Sequence, residues 1–234
     1  MSTLLAPNAA SKRANDLPAH DYATLKVTVK PRLDFTVDLF SITEPQGNIA
    51  PTNLPDTNLL DAGNLQAYLN SLYNKQANIN WTVTPTINME SIHYDINPVD
   101  GRLQETPQGN DEQLAIVLGL FSGHGNTPDG HNWVTYVHEI NPPTTGGFTV
   151  PGGVPFLEDS DLAADHQAHK TAHELGHVHN VGYNAKEKRD LMYEQTSTTP
   201  GCFIPHEHSL CMNPTAGDPG DPTSDEFRKK CFKH

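Results

Sequence analysis

The chain has 234 residues and a formal net charge of −13, from 28 acidic and 15 basic side chains. This balance argues against a nucleic-acid partner, because phosphate binding relies on clustered lysine and arginine. No apolar run approaches the roughly 18 residues that a membrane span requires, so we expect no membrane partner. The length suits a single domain that buries its own core, and we expect a monomer.

The domain organisation is inferred from polarity along the chain. Residues 1–21 are polar and lack the apolar stretch of a secretory signal, so they are predicted to be a flexible arm or a pro-segment remnant. Residues 22–234 are predicted to form one domain, with an N-terminal subdomain at 22–179 and a C-terminal subdomain at 180–234. We expect a secreted, extracellular protein whose leader is not visible in this chain.

Cysteine usage is confined to the loop-rich C-terminal part of the chain, which favours a disulfide there. One disulfide and one free thiol is the simplest arrangement, and spacing alone does not choose the pair. The three cysteines are Cys202, Cys211 and Cys231.

The first elements follow from hydrophobic periodicity. Alternation over 25–39 predicts a half-buried strand or a bent hairpin. Over 61–75 the apolar spacing changes to that of an amphipathic helix, and alternation returns at 79–83 for another strand. A polar loop is predicted at 95–112. The apolar run LAIVLGLF at 114–121, bounded by turn residues, predicts a buried central strand.

The later elements complete an α+β fold. WVTYVHEI at 133–140 predicts a strand, and 147–158 reads as a strand broken by glycine and proline, which sheet edges tolerate best. A helix is predicted to begin near Ser160 or Asp161, and a closing helix at 223–232. The expected architecture is a single twisted mixed sheet with an antiparallel edge strand, backed by helices, with an irregular C-terminal third.

The strongest chemical motif is HELGH at 173–177, inside the predicted helix. His173 and His177 lie about one helical turn apart, so both imidazoles leave the same face and can converge on one zinc ion. Glu174 is rotated away from that stripe and can act as general base toward a zinc-activated water. The spacing therefore indicates a catalytic zinc site.

The longer stretch HELGHVHNVGYNAKEKRDLM resembles the metzincin clan of zinc endopeptidases, whose motif is H-E-x-x-H-x-x-G-x-x-H followed by a Met-turn. The resemblance implies zinc ligands at His173 and His177, with Glu174 as the base. It puts the third ligand at Tyr183 and the Met-turn methionine at Met192. The implied activity is hydrolysis of peptide bonds in a protein or peptide substrate, and the resemblance covers about residues 22–193.

Two residues depart from the metzincin pattern. Asn180 replaces the helix-ending glycine, a mild change because asparagine tolerates the left-handed conformation. Tyr183 replaces a histidine, and a phenol with a pKa of about 10 must lose its proton to bind metal. Catalytic zinc keeps three protein ligands, so some third donor is required. The alternatives, in order of preference, are His206 or His208, then His179, then Asp190.

Two further roles come from the same resemblance. Met212 is the alternative Met-turn methionine, and that choice would favour a histidine from 206–208 as ligand. In metzincins the strand before the active-site helix is an antiparallel edge that holds substrate. That role would fall to residues within 147–158, with the substrate contacts at Gly153, Val154, Pro155 and Phe156.

Two other functions remain open. One is a gluzincin-like peptidase with a downstream ligand such as Glu194. The other is a non-catalytic metzincin-fold module, for binding or toxin-like action, with altered zinc ligation. Acidic residues at 218–226 could bind Ca²⁺ through oxygens, but they lack EF-hand spacing, so a solvated loop is the better interpretation.

Overall fold

Among the residues that the computed structural model describes, nine strands and four helices make up the regular structure. The strands are β1 Thr3–Leu4, β2 Leu25–Lys26, β3 Leu33–Thr43, β4 Ile79–Ser91, β5 Leu103–Gln104, β6 His131–Val137, β7 Ile140–Asn141, β8 Gly147–Thr149 and β9 Pro155–Glu158. The helices are α1 Ala62–Ala77, α2 Asn110–His124, α3 Ala164–Val178 and α4 His206–Met212. The described residues are 3–4, 25–26, 30–45, 61–96, 99–105, 110–143, 146–149, 153–159, 164–179, 181, 191–192, 204 and 206–213.

The central sheet has five strands in the order β4-β3-β6-β9-β8. The first four are parallel, and β8 pairs antiparallel with β9 at one edge. Two small two-stranded sheets, β1-β2 and β5-β7, accompany it. The predicted mixed sheet with an antiparallel edge strand and backing helices is therefore confirmed.

Helices cover both faces of this sheet, and the strands are apolar on both faces as a result. On β3, Val37 and Leu39 join a core shared with α1 and α3. Phe40 and Ile42 of the same strand join a second core shared with α2. We call these two sides the α3 face and the α2 face.

Local sequence explains α1 and the strand after it. Asp61 caps the helix by accepting a hydrogen bond from the Asn64 backbone N–H at 2.9 Å. Asn78 ends the helix in the left-handed conformation, with φ of 54°. Asn70 then binds both backbone groups of Trp81, at 2.7 and 2.8 Å, and so fixes β4 against the helix. The helix and strand predicted here are confirmed.

The predicted central strand at 114–121 is wrong, because these residues lie in α2. Ile116 and Leu120 are buried on one side, whereas Leu114 and Leu118 are 51% and 56% exposed. An apolar run of this length suits a helix as well as a buried strand, so periodicity does not separate the two. β6 occupies the central position instead, in agreement with the strand predicted at 133–140.

The predicted edge strand also needs correction. Residues 147–158 form two antiparallel strands, and the chain reverses between them. Pro155 and Phe156 lie in β9, which pairs with β6 on one side and β8 on the other. Pro155 is tolerated there because it is the first residue of the strand. The edge is therefore β8, and the substrate contacts assigned to Gly153, Val154, Pro155 and Phe156 do not lie on it.

The C-terminal part contains a short helix, α4, where irregular structure was expected. Cys211 and Met212 of α4 are buried in the α3-face core. The closing helix predicted at 223–232 and the other two cysteines lie outside the described residues, so the disulfide stays a prediction. None of the helices in the described part of the chain is long and apolar enough to cross a membrane.

Candidate metal centre

α3 presents His173 and His177 on one face, as the four-residue spacing predicts. Their Nε2 atoms lie 3.2 Å apart, and the two rings meet nearly at right angles with centroids 4.9 Å apart. Two ligands of a tetrahedral zinc, each about 2.0–2.1 Å from the metal, are separated by about 3.3 Å. The two nitrogens are thus spaced as a zinc ion requires.

Backbone carbonyls hold the opposite nitrogen of each ring. His173 Nδ1 lies 2.8 Å from the Leu191 carbonyl, and His177 Nδ1 lies 2.7 Å from the Val181 carbonyl. A carbonyl only accepts, so each Nδ1 carries the proton and each Nε2 presents a lone pair. Two lone pairs aimed at each other repel unless a cation lies between them. This donor set fits a bound metal, and such carbonyl partners are typical of zinc-binding histidines.

Glu174 points away from the histidine pair toward the sheet edge. Its side chain is buried, and its Oε2 accepts a hydrogen bond of 2.7 Å from the hydroxyl of Thr149 on β8. Burial raises the pKa of Glu174 to about 8, against the lowering effects of Thr149 and the nearby Lys170. The carboxyl is therefore desolvated and lies on the helical turn between the two histidines.

The floor beneath the motif is formed by methionines. A side chain at Gly176 would overlap Met192 Sδ and lie 3.6 Å from Met212 Cε. Met192 directly follows Leu191, whose carbonyl holds His173. Both candidate Met-turn residues thus pack under the helix between the two histidines, and which of them serves as the Met-turn stays a prediction.

No third candidate ligand joins the two histidines among the described residues. Within that part of the chain, no three His, Cys, Asp or Glu side chains form a group that could hold a metal. His179 and His208 are described, so neither joins the histidine pair. Tyr183, Asp190 and the side chain of His206 lie outside the described residues, as do Asn180 and Glu194.

His179 has the surroundings of a core residue. Its ring packs on Phe35 and Trp81, with centroid distances of 4.6 and 5.4 Å. Burial lowers the pKa of His179 to about 4, so the ring is neutral at physiological pH. The helix continues to Val178, and His179 points toward the sheet instead of toward His173 and His177.

Two contributors from β8, Thr149 and Gly147, were not identified from sequence. Thr149 reaches Glu174 directly, and a side chain at Gly147 would come within 3.3 Å of Glu174 Oε1. No local motif marks either residue, because their proximity to Glu174 depends on where the edge strand crosses α3.

Comparisons with known proteins give only distant likenesses. No known protein family matches the sequence, and no curated protein matches it. A zinc-dependent peptidase from Methanocorpusculum labreanum is similar in structure at 11% identity and a TM-score of 0.49, over 77% of this chain and 100% of that chain. Metalloproteinase-II from Bacteroides fragilis is similar at 13% identity and a TM-score of 0.47, over 84% of this chain.

The present chain spans 56% of the length of the Bacteroides protein. Overlap at this identity and TM-score is too weak to assign a function. The site geometry is therefore the basis for the functional assignment.

Proposed function

We propose that this chain is a zinc-dependent endopeptidase of the metzincin type. The observation that carries the proposal is the converging pair of Nε2 atoms on His173 and His177, 3.2 Å apart, with both Nδ1 atoms anchored to carbonyls. That arrangement orients two lone pairs at one point beside a buried glutamate. If the two histidines occurred on this helix by chance, we would not expect both Nδ1 atoms to be bound to backbone carbonyls.

The site residues are assigned two roles, metal binding and proton transfer. His173, His177 and a third donor, proposed to be Tyr183, would hold the metal. Bound zinc supplies a Lewis acid that polarises a carbonyl and lowers the pKa of water toward about 7. The Glu174 carboxylate would take a proton from the attacking water and later return it to the leaving amine. A general base works best with a pKa near the working pH, and burial shifts Glu174 in that direction.

Substrate binding is proposed at β8. Among the described residues this strand pairs only with β9, and an extended peptide would add to its other side as a further strand. Because Thr149 of β8 contacts Glu174, a peptide on this edge would lie beside the base. Such main-chain binding suits cleavage within a polypeptide, and the proposed partner is a protein or peptide substrate.

Glu174→Ala provides the central test, with casein as substrate and metal analysis by mass spectrometry. We expect the variant to keep about one zinc per chain but to lose cleavage by at least about a thousandfold. Glu139→Ala is the matched control, since this partly exposed carboxylate pairs with Arg102 instead. Cleavage retained in Glu174→Ala would refute the assignment. Less than about half an equivalent of zinc in the wild type, with no cleavage, would favour the non-catalytic module.

The third donor has its own test. Tyr183→Phe removes the phenol oxygen and keeps the ring, so zinc affinity should fall by about tenfold or more if that oxygen binds the metal. X-ray absorption on the zinc-loaded protein would count nitrogen and oxygen ligands before and after the change. Unchanged affinity in Tyr183→Phe, combined with a loss in His206→Ala, would move the third ligand to α4.

A further inference from the structure

We propose that Thr149 is a positioning residue that holds the Glu174 carboxylate and ties it to the substrate-binding edge strand. This inference rests on the proposed function and adds to it a residue from outside the zinc-binding motif. The hydroxyl of Thr149 contacts Glu174, so its effect on the reaction would act through that residue.

The first observation is the double contact of one hydroxyl. Thr149 Oγ1 lies 2.7 Å from Glu174 Oε2 and 3.2 Å from the backbone carbonyl oxygen of the same residue. A threonine hydroxyl has one proton to donate, and the shorter contact identifies the carboxylate as its main acceptor. The hydroxyl therefore sets the carboxylate in a defined position relative to the helix backbone.

The second observation is the residue two positions earlier on β8. Gly147 and Thr149 lie on the same face of the strand, because side chains alternate along it. A Cβ at Gly147 would lie 3.3 Å from Glu174 Oε1, 3.2 Å from the Phe156 carbonyl oxygen and 2.9 Å from Leu157 Cδ2. On β8, the Thr149 hydroxyl therefore binds one carboxylate oxygen, and the side-chain-free backbone at Gly147 lies next to the other.

The burial of Glu174 makes this contact consequential. The residue is only 4% exposed, so bulk water does not replace a lost donor freely. Without the hydroxyl, the carboxylate would rotate among its side-chain conformers. The reaction step depends on that geometry, whereas peptide binding along the β8 backbone does not, so the loss should appear in kcat and not in KM.

The experiment compares Thr149→Val with Thr149→Ser in the full-length, zinc-loaded protein. Valine keeps the shape and removes the hydroxyl, whereas serine keeps the hydroxyl. Thr135→Val is the matched control, because its buried hydroxyl binds the Pro155 carbonyl at 2.6 Å and not Glu174. We expect kcat to fall about 10- to 100-fold in Thr149→Val, with KM within about twofold and zinc content unchanged. Thr149→Ser should recover to within about threefold of wild type, and Thr135→Val should keep the wild-type kcat.

Two kinds of result would overturn the proposal. One is wild-type kcat in Thr149→Val while Glu174→Ala is inactive; this refutes the positioning role and leaves the proposed function intact. The other is a kcat in Thr149→Ser that falls as far as in Thr149→Val, or a change in Thr149→Val that is confined to KM. A zinc-loaded wild type without any cleavage would instead refute the proposed function, and the positioning role with it. If Thr149→Val does not fold, Thr149→Ala against Thr149→Ser gives the same comparison.

Discussion

The two faces of the central sheet both bury glutamates, and they surround them differently. On the α2 face, Glu44 accepts hydrogen bonds from His93 Nδ1 at 2.9 Å, from the Tyr94 backbone N–H, and from the Asp95 backbone N–H at 2.9 Å. On the α3 face, the Glu174 carboxylate accepts a hydrogen bond from the Thr149 hydroxyl. The two acids are both nearly inaccessible, at 7% and 4% exposed.

The hydrogen-bond donors distinguish a structural carboxylate, Glu44, from the one proposed to be catalytic, Glu174. The two backbone N–H groups that Glu44 binds belong to the segment after β4, so this carboxylate holds that segment in position. Glu112 of α2 acts similarly, accepting from the backbone N–H groups of Ile96 and Gln104 at 3.2 and 2.9 Å. Glu174 binds a side-chain hydroxyl and holds no loop in place. A buried acid with few backbone donors, beside a convergent histidine pair, is the one suited to chemistry.

The largest expected effect is the loss of stability on removing Glu44, the glutamate with the structural role. Glu44→Ala leaves two buried backbone N–H groups without their acceptor, so the free energy of unfolding should fall by roughly 3–5 kcal/mol. Urea denaturation would measure it, with Glu90→Ala as control because its ion pair with His124 is partly exposed. A loss below about 1 kcal/mol would contradict the structural role of Glu44.

The next effect is a pH dependence in the zinc-free protein. Burial raises the pKa of Glu174 from 4.5 to about 8, so between these values the folded state binds more protons than the unfolded state. The free energy of unfolding should therefore fall by roughly 4 kcal/mol as pH rises from about 4.5 to 8. Subtracting the curve of Glu174→Gln from that of wild type isolates the change. A difference that does not vary across this window would show that Glu174 is not desolvated.

Gly176→Ala should have a smaller but specific effect on the α3 face. The added methyl would overlap Met192 Sδ, and overpacking of this kind destabilises by about 1–3 kcal/mol. Because the methionine lies under the helix between the two histidines that are proposed to bind zinc, zinc affinity should fall as well. Gly123→Ala, at a helix position with open space, is the matched control. Equal stability of the two variants would show that Met192 does not pack against the motif.

The smallest effect is expected on the outer side of α2. Leu118 is 56% exposed, so Leu118→Lys should change the free energy of unfolding by no more than about 0.5 kcal/mol. Leu120→Lys, at a fully buried position of the same helix, should destabilise the protein strongly. Similar losses in both variants would mean that the outer side of α2 is also covered.

Prediction from sequence succeeded where a local pattern had a single structural solution. The apolar spacing of 61–75 suits only a helix, and α1 confirms it. The alternation around Trp81 suits only a strand, and β4 confirms it. The run at 114–121 is apolar on every side, so helix and strand fit it equally well and the helix was missed. The hairpin of β8 and β9 was missed because glycines and prolines mark a break without showing that the chain reverses there.

Local sequence is sufficient to predict the helix that carries HELGH and the face from which His173 and His177 project, because a four-residue spacing has one geometry on a helix. The surroundings of that face depend on tertiary packing. The carbonyls of Val181 and Leu191 orient the two rings, and β8 crosses beside Glu174 to place Thr149 on its carboxylate. These partners come from separate segments of the chain, and only the packing of the sheet edge against α3 brings them to one site.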